Sequence, residues 1–115
     1  MMTNVKLIIK VMDGSSISVV VDSKGLPSAF LSDTNYDINF LLVAIAEQYQ
    51  ILESYIKPKL TYFGTDDGYP CVYYTIHFPK EFLDEKTISK LCNNFEQLSE
   101  QDRIAIRQSF SILPY

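Results

Sequence analysis

Residues 26–51 read LPSAFLSDTNYDINFLLVAIAEQYQI, and this stretch decides how the rest of the chain is interpreted. It opens with a short apolar segment, Leu26 to Leu31. The four residues 32–35 then offer side-chain oxygens that can cap a helix. The apolar run after them predicts a helix from about Asn35 to Gln50. This helix is apolar almost all round, and such a helix is usually buried on several sides or covered by a partner.

The same stretch resembles the Nudix box, whose pattern is Gly, five residues, Glu, seven residues, Arg-Glu-aliphatic-any-Glu-Glu-any-Gly-aliphatic. Without a gap, the residues on its defined positions are, in order, Ala29, Asn35, Val43, Ala44, Ile45, Glu47, Gln48, Gln50 and Ile51. Only Ile45, Glu47 and Ile51 match outright, helped by a Leu-Pro-x-x-Phe lead-in that is similar to the family's Leu-Pro-Gly-Gly. Gln50 stands in place of the Gly that lets the chain leave the helix, so we expect a different C-terminal cap.

The resemblance implies a Nudix-like domain that has lost its metal chemistry. In active family members the box helix presents several carboxylates to Mg²⁺ or Mn²⁺, and hard cations need several oxygen ligands. Here Asn35, Ala44 and Gln48 stand where three carboxylates would be, and Val43 replaces the basic residue. We therefore expect no metal and no other cofactor. The former metal face could have become a protein interface, or the helix could be central in an unrelated fold.

Composition limits the class of protein. The 115 residues form a single domain, 1–115, by the usual length expectation. The net charge of −4, with no basic stripe, argues against non-specific nucleic-acid binding. No apolar run approaches the roughly 20 residues that span a bilayer, and no signal peptide is recognisable, so cytoplasmic residence is expected. Cys71 and Cys92 form no Cys-x-x-Cys pair and are expected to be reduced core residues.

Five segments rich in β-branched or aromatic residues are predicted strands: Val5–Met12, Ser15–Val21, Leu26–Leu31, Lys59–Phe63 and Cys71–Phe78. Asp13-Gly14 predicts a tight hairpin between the first two, and the turn at residues 65–68 predicts a hairpin between the last two. Glu81 to Asn93 is predicted to be a helix. A C-terminal helix is predicted to begin at a weak capping box formed by Ser99 and Asp102.

Ile106, Phe110 and Leu113 are expected to share the buried face of this last helix. The order of strands, helix, strands and helices predicts an α+β domain. The resemblance implies, more specifically, a Nudix-like mixed β-sheet sandwiched between helices.

Four residues are candidates for a ligand-binding site: Glu47, Tyr62, Tyr73 and His77. Glu47 is the carboxylate that remains in the box. Tyr62 and Tyr73 lie on two strands that should pair, where aromatic rings could stack on a base, anchor a partner or simply pack across the strands. His77 is expected on the same face as Tyr73, and is most simply a sheet residue with a satisfied ring. No catalytic residue is predicted.

The leading hypothesis is a catalytically inactive Nudix-like binding or regulatory domain that acts through a protein partner, a retained nucleotide pocket, or both. One alternative is a divergent Mg²⁺-dependent hydrolase of nucleoside diphosphate derivatives, with metal ligands relocated to Asp66, Asp67 or Glu53. Another is an α+β protein-interaction module from a phage or mobile element. The apolar helix and the Tyr-rich hairpin are two surfaces through which the protein could also associate with a second copy of itself.

Overall fold

The structure, a computed structural model, describes residues 2–23, 25–32, 37–66 and 68–113, which form one mixed β-sheet between helices. Its central strand is β1, Thr3–Asp13. Successive side chains of a strand point to opposite faces of the sheet. The odd-numbered residues from Val5 to Val11 therefore enter one hydrophobic core, and Ile8 enters a second core on the other face.

The other strands are β2 Ser16–Val20, β3 Ser28–Leu31, β4 Lys59–Asp66, β5 Tyr69–Pro79 and β6 Leu91–Cys92. Their order in the sheet is β4-β5-β1-β2-β6, and β3 also pairs with β1. The pairing of β1 with β5 is parallel, whereas the other pairings are antiparallel. The sheet is therefore mixed, as the Nudix-like prediction requires.

Both predicted hairpins are present. Asp13 pairs with Ser16, so β1 and β2 are joined by a two-residue turn in which Gly14 has a φ of +62°. Asp66 pairs with Tyr69 in the antiparallel β4–β5 hairpin. These are the short connections that favour glycine where φ must be positive.

Two helices cover opposite faces of the sheet. The helix α1, Ile38–Glu47, packs Leu42, Ile45 and Ala46 into the core that holds the odd-numbered side of β1. A short helix α2, Glu85–Ile88, follows β5, and α3, Glu100–Ser109, packs against the other face. The predicted α+β sandwich is therefore confirmed. Among the described residues, no helix is long and apolar enough to span a membrane.

The prediction of one helix over Glu81–Asn93 is wrong. This stretch contains the end of a 3-10 turn (Lys80–Phe82), then α2, then β6. A new helix starts because Asp84 accepts a hydrogen bond from the Thr87 N–H at 2.8 Å. It ends early because Leu91 pairs with Val20 at the edge of the sheet. The backbone groups of β6 form hydrogen bonds with β2 instead of the hydrogen bonds that they would form in a helix. The local sequence does not reveal this pairing.

The C-terminal helix begins as predicted but ends sooner. The Ser99 hydroxyl accepts a hydrogen bond from the Asp102 N–H at 3.2 Å, which confirms Ser99 as the N-cap. The helix ends at Ser109, so the 3.6-residue repeat of a helix does not set which side the later residues face. Ile106 is buried, whereas Phe110 and Leu113 are exposed, so the prediction that all three share a buried face is wrong.

Candidate functional site

The box helix α1 is shorter than predicted and presents an apolar outer stripe. It starts at Ile38 rather than Asn35, which lies outside the described residues, and Asp37 caps it by accepting a hydrogen bond from the Phe40 N–H at 3.0 Å. Phe40, Val43, Ala44 and Glu47 share one side of a helix by their spacing. Phe40 is 66% exposed, Val43 and Ala44 are half-buried, and Glu47 is exposed. The stripe is thus apolar except for Glu47.

The C-terminal end of α1 supports the alignment with the Nudix box. Gln50 has a φ of +62°, the conformation that glycine adopts most easily. Its N–H donates to the Glu47 carbonyl at 3.1 Å, and the Ile51 N–H donates to the Ala46 carbonyl at 3.3 Å. These two bonds form a Schellman motif around a left-handed residue. Gln50 therefore forms the cap that glycine usually provides, so the expectation of a different C-terminal cap is wrong. Ile51, which aligns with the last aliphatic position of the box, is buried.

The helix residues that align with the charged positions of the Nudix box are Val43, Ala44, Glu47 and Gln48. Val43 and Ala44 are half-buried, and Glu47 and Gln48 are exposed. Within the described part of the chain, no group of three or more His, Cys, Asp and Glu side chains is placed to hold a metal ion. Asp67, a candidate for a relocated ligand, lies outside the described residues.

A second exposed apolar surface lies on the edge strand β4. Leu60 is 62% exposed and Phe63 is 67% exposed. The pairing register shifts between Leu60 and Tyr62, which marks a β-bulge. Leu60 pairs with Tyr74 and Phe63 with Val72, so both point to the face of the sheet that α1 covers. An odd spacing would normally put them on opposite faces, and the bulge is what aligns them.

A buried polar cluster lies on the opposite face, beneath the N-terminal turn of α3. The Lys6 ammonium donates to Asp102 Oδ1 at 2.8 Å, and the Tyr73 hydroxyl donates to the same oxygen at 2.6 Å. Lys6 is 7% exposed and Asp102 is 3% exposed. Burial, and then the hydrogen bond to Asp102, raise the pKa of Tyr73, so its hydroxyl remains a donor. The buried charges of Lys6 and Asp102 compensate each other directly.

A cavity of about 310 Å³ lies over this cluster. Its walls come from β1, from the loop after β2 and from residues 92–99 together with the start of α3. Asp22 and Asp102 both line it, and the Tyr49 hydroxyl donates to Asp22 Oδ2 at 2.9 Å. Burial, followed by Asp22, raises the pKa of Tyr49, so that hydroxyl is also a donor. The sequence did not reveal this polar cavity.

Basic side chains from three adjacent strands hold the C-terminal end of α3. Lys10 donates to the Ser109 carbonyl at 2.7 Å and the Ile112 carbonyl at 3.3 Å, and Lys59 donates to the Leu113 carbonyl at 2.9 Å. Burial, then the positive charge of Lys10, lower the pKa of His77, while a backbone hydrogen bond with Ile112 opposes this effect. The carbonyl end of a helix is the negative end of its dipole, so these contacts are mainly structural.

The predicted site residues do not form one cluster. Tyr62 and Tyr73 are directly opposite in β4 and β5, with ring centroids 5.7 Å apart, but Tyr73 is fully buried. His77 is on their face of the sheet, as predicted, but it faces the end of α3 rather than its start. Glu47 lies on α1, across the sheet from all three. Their role in ligand binding stays a prediction.

Sequence reasoning missed Lys6 and Asp102, although one signal was available. Lys6 and Lys10 interrupt the apolar run of β1 at a spacing of four, on one face of the strand. Two lysines on the same face of a central strand imply that the element packed on that face supplies hydrogen-bond acceptors for their ammonium groups. The sequence did not reveal which residues those are, because Asp102 lies 96 residues away from Lys6.

Comparison with known proteins supports the fold. No family model matches the chain, and no curated protein matches it significantly in sequence. A solved structure that is similar is the C-terminal domain of mouse MUTYH, determined in complex with human PCNA. The TM-score is 0.59 at 9% sequence identity, and the match covers 96% of this chain and 88% of that chain. That domain has a Nudix-like fold, so the predicted fold is confirmed. At this identity the likeness shows the fold alone.

Proposed function

We propose that this protein is a protein-interaction domain built on a Nudix-like scaffold, and that an extended segment of a partner protein pairs with the β4 edge. The observation that carries the proposal is the exposure of Leu60 and Phe63 on one face of an edge strand. An edge strand offers backbone donors and acceptors to a further strand. Apolar side chains on one face then select a segment with apolar residues at alternate positions.

The surface of α1 fits the same role. Its outer stripe, from Phe40 to Ala44, is on the side of the sheet to which Leu60 and Phe63 point. Large apolar side chains exposed together are characteristic of interaction sites rather than of free surface. The structural relative adds support, because the similar MUTYH domain was solved in complex with a protein, PCNA.

Loss of hydrolase activity is part of the proposal. It rests on Val43, Ala44 and Gln48, which replace the charged box positions while the backbone of α1 keeps the box geometry through Gln50. A single carboxylate, Glu47, supplies too few oxygen ligands for a hard cation. The cavity by α3 is the place where a retained nucleotide pocket could lie, but no aromatic side chain is among its described walls.

The interaction is tested by affinity capture with matched variants. The test protein is the double variant Leu60→Thr/Phe63→Thr, which keeps strand propensity and removes the exposed apolar groups. The control is Phe82→Ser, an exposed aromatic residue in the 3-10 turn outside β4. We expect the wild-type protein and the control variant to capture the same partner protein, and the double variant to fail to capture it. Binding should then be reproduced with the purified partner by calorimetry.

Identical capture by the double variant, or no capture by wild type, would contradict the assignment to β4. Sedimentation of the purified protein identifies the remaining case, in which a second copy is the partner. The hydrolase alternative is tested separately with nucleoside diphosphate derivatives and Mg²⁺. Turnover that chelation abolishes, and that Glu47→Gln reduces, would overturn the proposed loss of activity.

A further inference from the structure

We propose that a cavity at the carboxyl ends of the parallel strands β1 and β5 binds a neutral aromatic ring that carries one O–H or N–H donor, and that the His77 imidazole accepts this hydrogen bond. The cavity has a volume of about 410 Å³, within the range of small-molecule pockets. Its described apolar walls are Met12, Tyr55, Phe78 and Pro79. None of its described walls belongs to α1 or β4, so the site is separate from the surfaces of the proposed function.

The cavity forms where β5 extends beyond the start of β4. Pairing of these two strands begins at Lys59 and Thr75, so residues 76–79 of β5 pair with β1 alone in the described part of the chain. Tyr55, in the 3-10 turn before β4, lies beside this end of β5, and its ring centroid is 5.0 Å from that of Phe78. A crevice outside the carboxyl ends of parallel strands is a frequent ligand site.

His77 supplies a hydrogen-bond acceptor to this site. Its Nε2 atom is buried and has no hydrogen-bond partner among the described residues, so the expectation of a satisfied ring is wrong for this atom. The hydrogen bond between the ring and the Ile112 backbone uses Nδ1–H as its donor, because the Ile112 N–H already donates to the Ser109 carbonyl. A neutral imidazole protonated at Nδ1 has a lone pair on Nε2.

The surroundings of His77 keep the ring in this neutral form. Burial, and then the positive charge of Lys10, lower the pKa of His77 from its ordinary value, so the ring is neutral at about pH 7 and above. A buried acceptor without a donor is unfavourable, since it has given up its hydrogen bond to water. A ligand that donates to Nε2 restores this bond, which gives the site a preference for an O–H or N–H group.

Met12 is the wall through which a ligand reaches Nε2. It lies on the strand next to His77, on the same face of the sheet, and it is 43% exposed. A methionine side chain is unbranched and has three rotatable bonds, so it adapts to what packs against it. A flat ring that displaces the Met12 side chain brings its donor to Nε2 and its apolar surface to Tyr55 and Pro79.

The charges around the cavity favour a neutral ligand. Lys80 and Glu81 are the charged side chains among its described walls, and their charges are opposite. Lys80 also donates to Asp13 at 2.8 Å. Lys10 and Lys59, which lie near His77, donate to backbone carbonyls at the end of α3 and just after it. An uncharged ring avoids the cost of moving a charge from water into an apolar cavity.

The test follows the His77 signals by NMR during titration with two matched compounds. His77 is the only histidine of the sequence, so its imidazole ¹⁵N signals are identified without ambiguity. 2-Naphthol is a flat ring with one O–H donor, and 2-methoxynaphthalene is the same ring without the donor. At about pH 8, where the imidazole is neutral, we expect 2-naphthol to shift the Nε2 signal upfield in a saturable manner, as acceptance of a hydrogen bond does. The methoxy compound should bind about three- to tenfold more weakly, and it should leave Nε2 in place.

Two methionine substitutions test whether binding occurs in this cavity. Met12→Trp places a large ring over the cavity. Met2→Trp is the matched control, because Met2 is also 43% exposed and does not line the cavity. We expect 2-naphthol to bind Met2→Trp as it binds the wild-type protein, and to bind Met12→Trp about tenfold more weakly.

The proposal is overturned if 2-naphthol at about 1 mM, ten times a dissociation constant of 0.1 mM, gives no saturable Nε2 shift in the wild-type protein. Equal Nε2 shifts with 2-naphthol and 2-methoxynaphthalene would also overturn it. So would tighter binding of 2-naphthoate, which is charged and has no donor, or unchanged binding of 2-naphthol to Met12→Trp.

Discussion

The buried pair of Lys6 and Asp102 is the strongest single test of how this fold is held together. Replacement of Asp102 by Asn keeps the size of the side chain and removes its charge. The Lys6 ammonium, 7% exposed, then loses the carboxylate that it contacts at 2.8 Å. Removal of one partner of a buried ion pair costs about 3–5 kcal/mol in free energy of unfolding. A domain of 115 residues has roughly 6–17 kcal/mol in total, so the loss is a large fraction.

An exposed ion pair of the same length provides the control. Lys80 Nζ and Asp13 Oδ2 are also 2.8 Å apart, but their side chains are 41% and 60% exposed. Solvent screens such a pair, so Asp13→Asn should cost no more than about 1 kcal/mol. The two substitutions change the same chemical group at the same distance from a lysine. They differ in burial and in the Tyr73 hydroxyl that also donates to Asp102. The difference between their effects therefore measures the combined contribution of burial and that hydrogen bond.

Urea unfolding followed by circular dichroism measures both variants, and a double-mutant cycle completes the test. We expect Lys6→Met and Asp102→Leu each to destabilise the protein, and the double variant to recover part of the loss because no charge is left buried. The rest of the loss remains because the buried Tyr73 hydroxyl has lost its acceptor. A cost of less than about 1 kcal/mol for Asp102→Asn, or single effects that add without coupling, would show that the buried ion pair does not stabilise the fold in this way.

Three further predictions concern the helix ends and pH. Gln50→Gly should stabilise the protein by about 0.5–1 kcal/mol. The left-handed conformation costs a residue other than glycine about 1–2 kcal/mol. Relief of this cost is partly offset because glycine loses more conformational entropy on folding. The control Gln48→Gly, at a φ of −62°, should destabilise it, and thermal unfolding compares the two. Ser99→Ala should cost about 1 kcal/mol by removing the cap of α3, whereas Ser111→Ala, exposed beyond that helix, should change the melting temperature little. Burial, with Lys10 and Lys59 nearby, lowers the pKa of His77, so the unfolded chain takes up its proton first as the pH falls below about 6.5. Stability should therefore fall with decreasing pH in that range, and His77→Gln should show a smaller slope in urea titrations at successive pH values.

The β-hairpins and the first helix could be predicted because their signals are local. Gly14 and Gly68 occupy turns that need positive φ, and the flanking strands alternate as their residues suggest. The alignment of residues 29–51 with the Nudix box placed Gln50 at the end of α1, where the structure finds the left-handed conformation. Local rules failed at residues 81–93, because Leu91 is held by a strand about seventy residues earlier in the chain.

The candidate sites depended on tertiary structure in a different way. The Tyr-rich hairpin was recognised as a surface of interest, but sequence could not tell that Tyr73 is buried and Phe63 is exposed. That distinction follows from the edge position of β4 and from the bulge next to Leu60. Both are set by how the chain pairs over long distances rather than by the residues of the strand itself.

By itself, the sequence determined the class of fold, the hairpins, the N-cap of α3 and a box helix whose metal-binding positions are occupied by Val43, Ala44 and Gln48. Only the tertiary structure decided which side chains meet. Alternation and capping act over a few residues and can be read directly along the chain. The contact between Lys6 and Asp102 exists because α3 is folded across β1, and no local pattern encodes a partner 96 residues away.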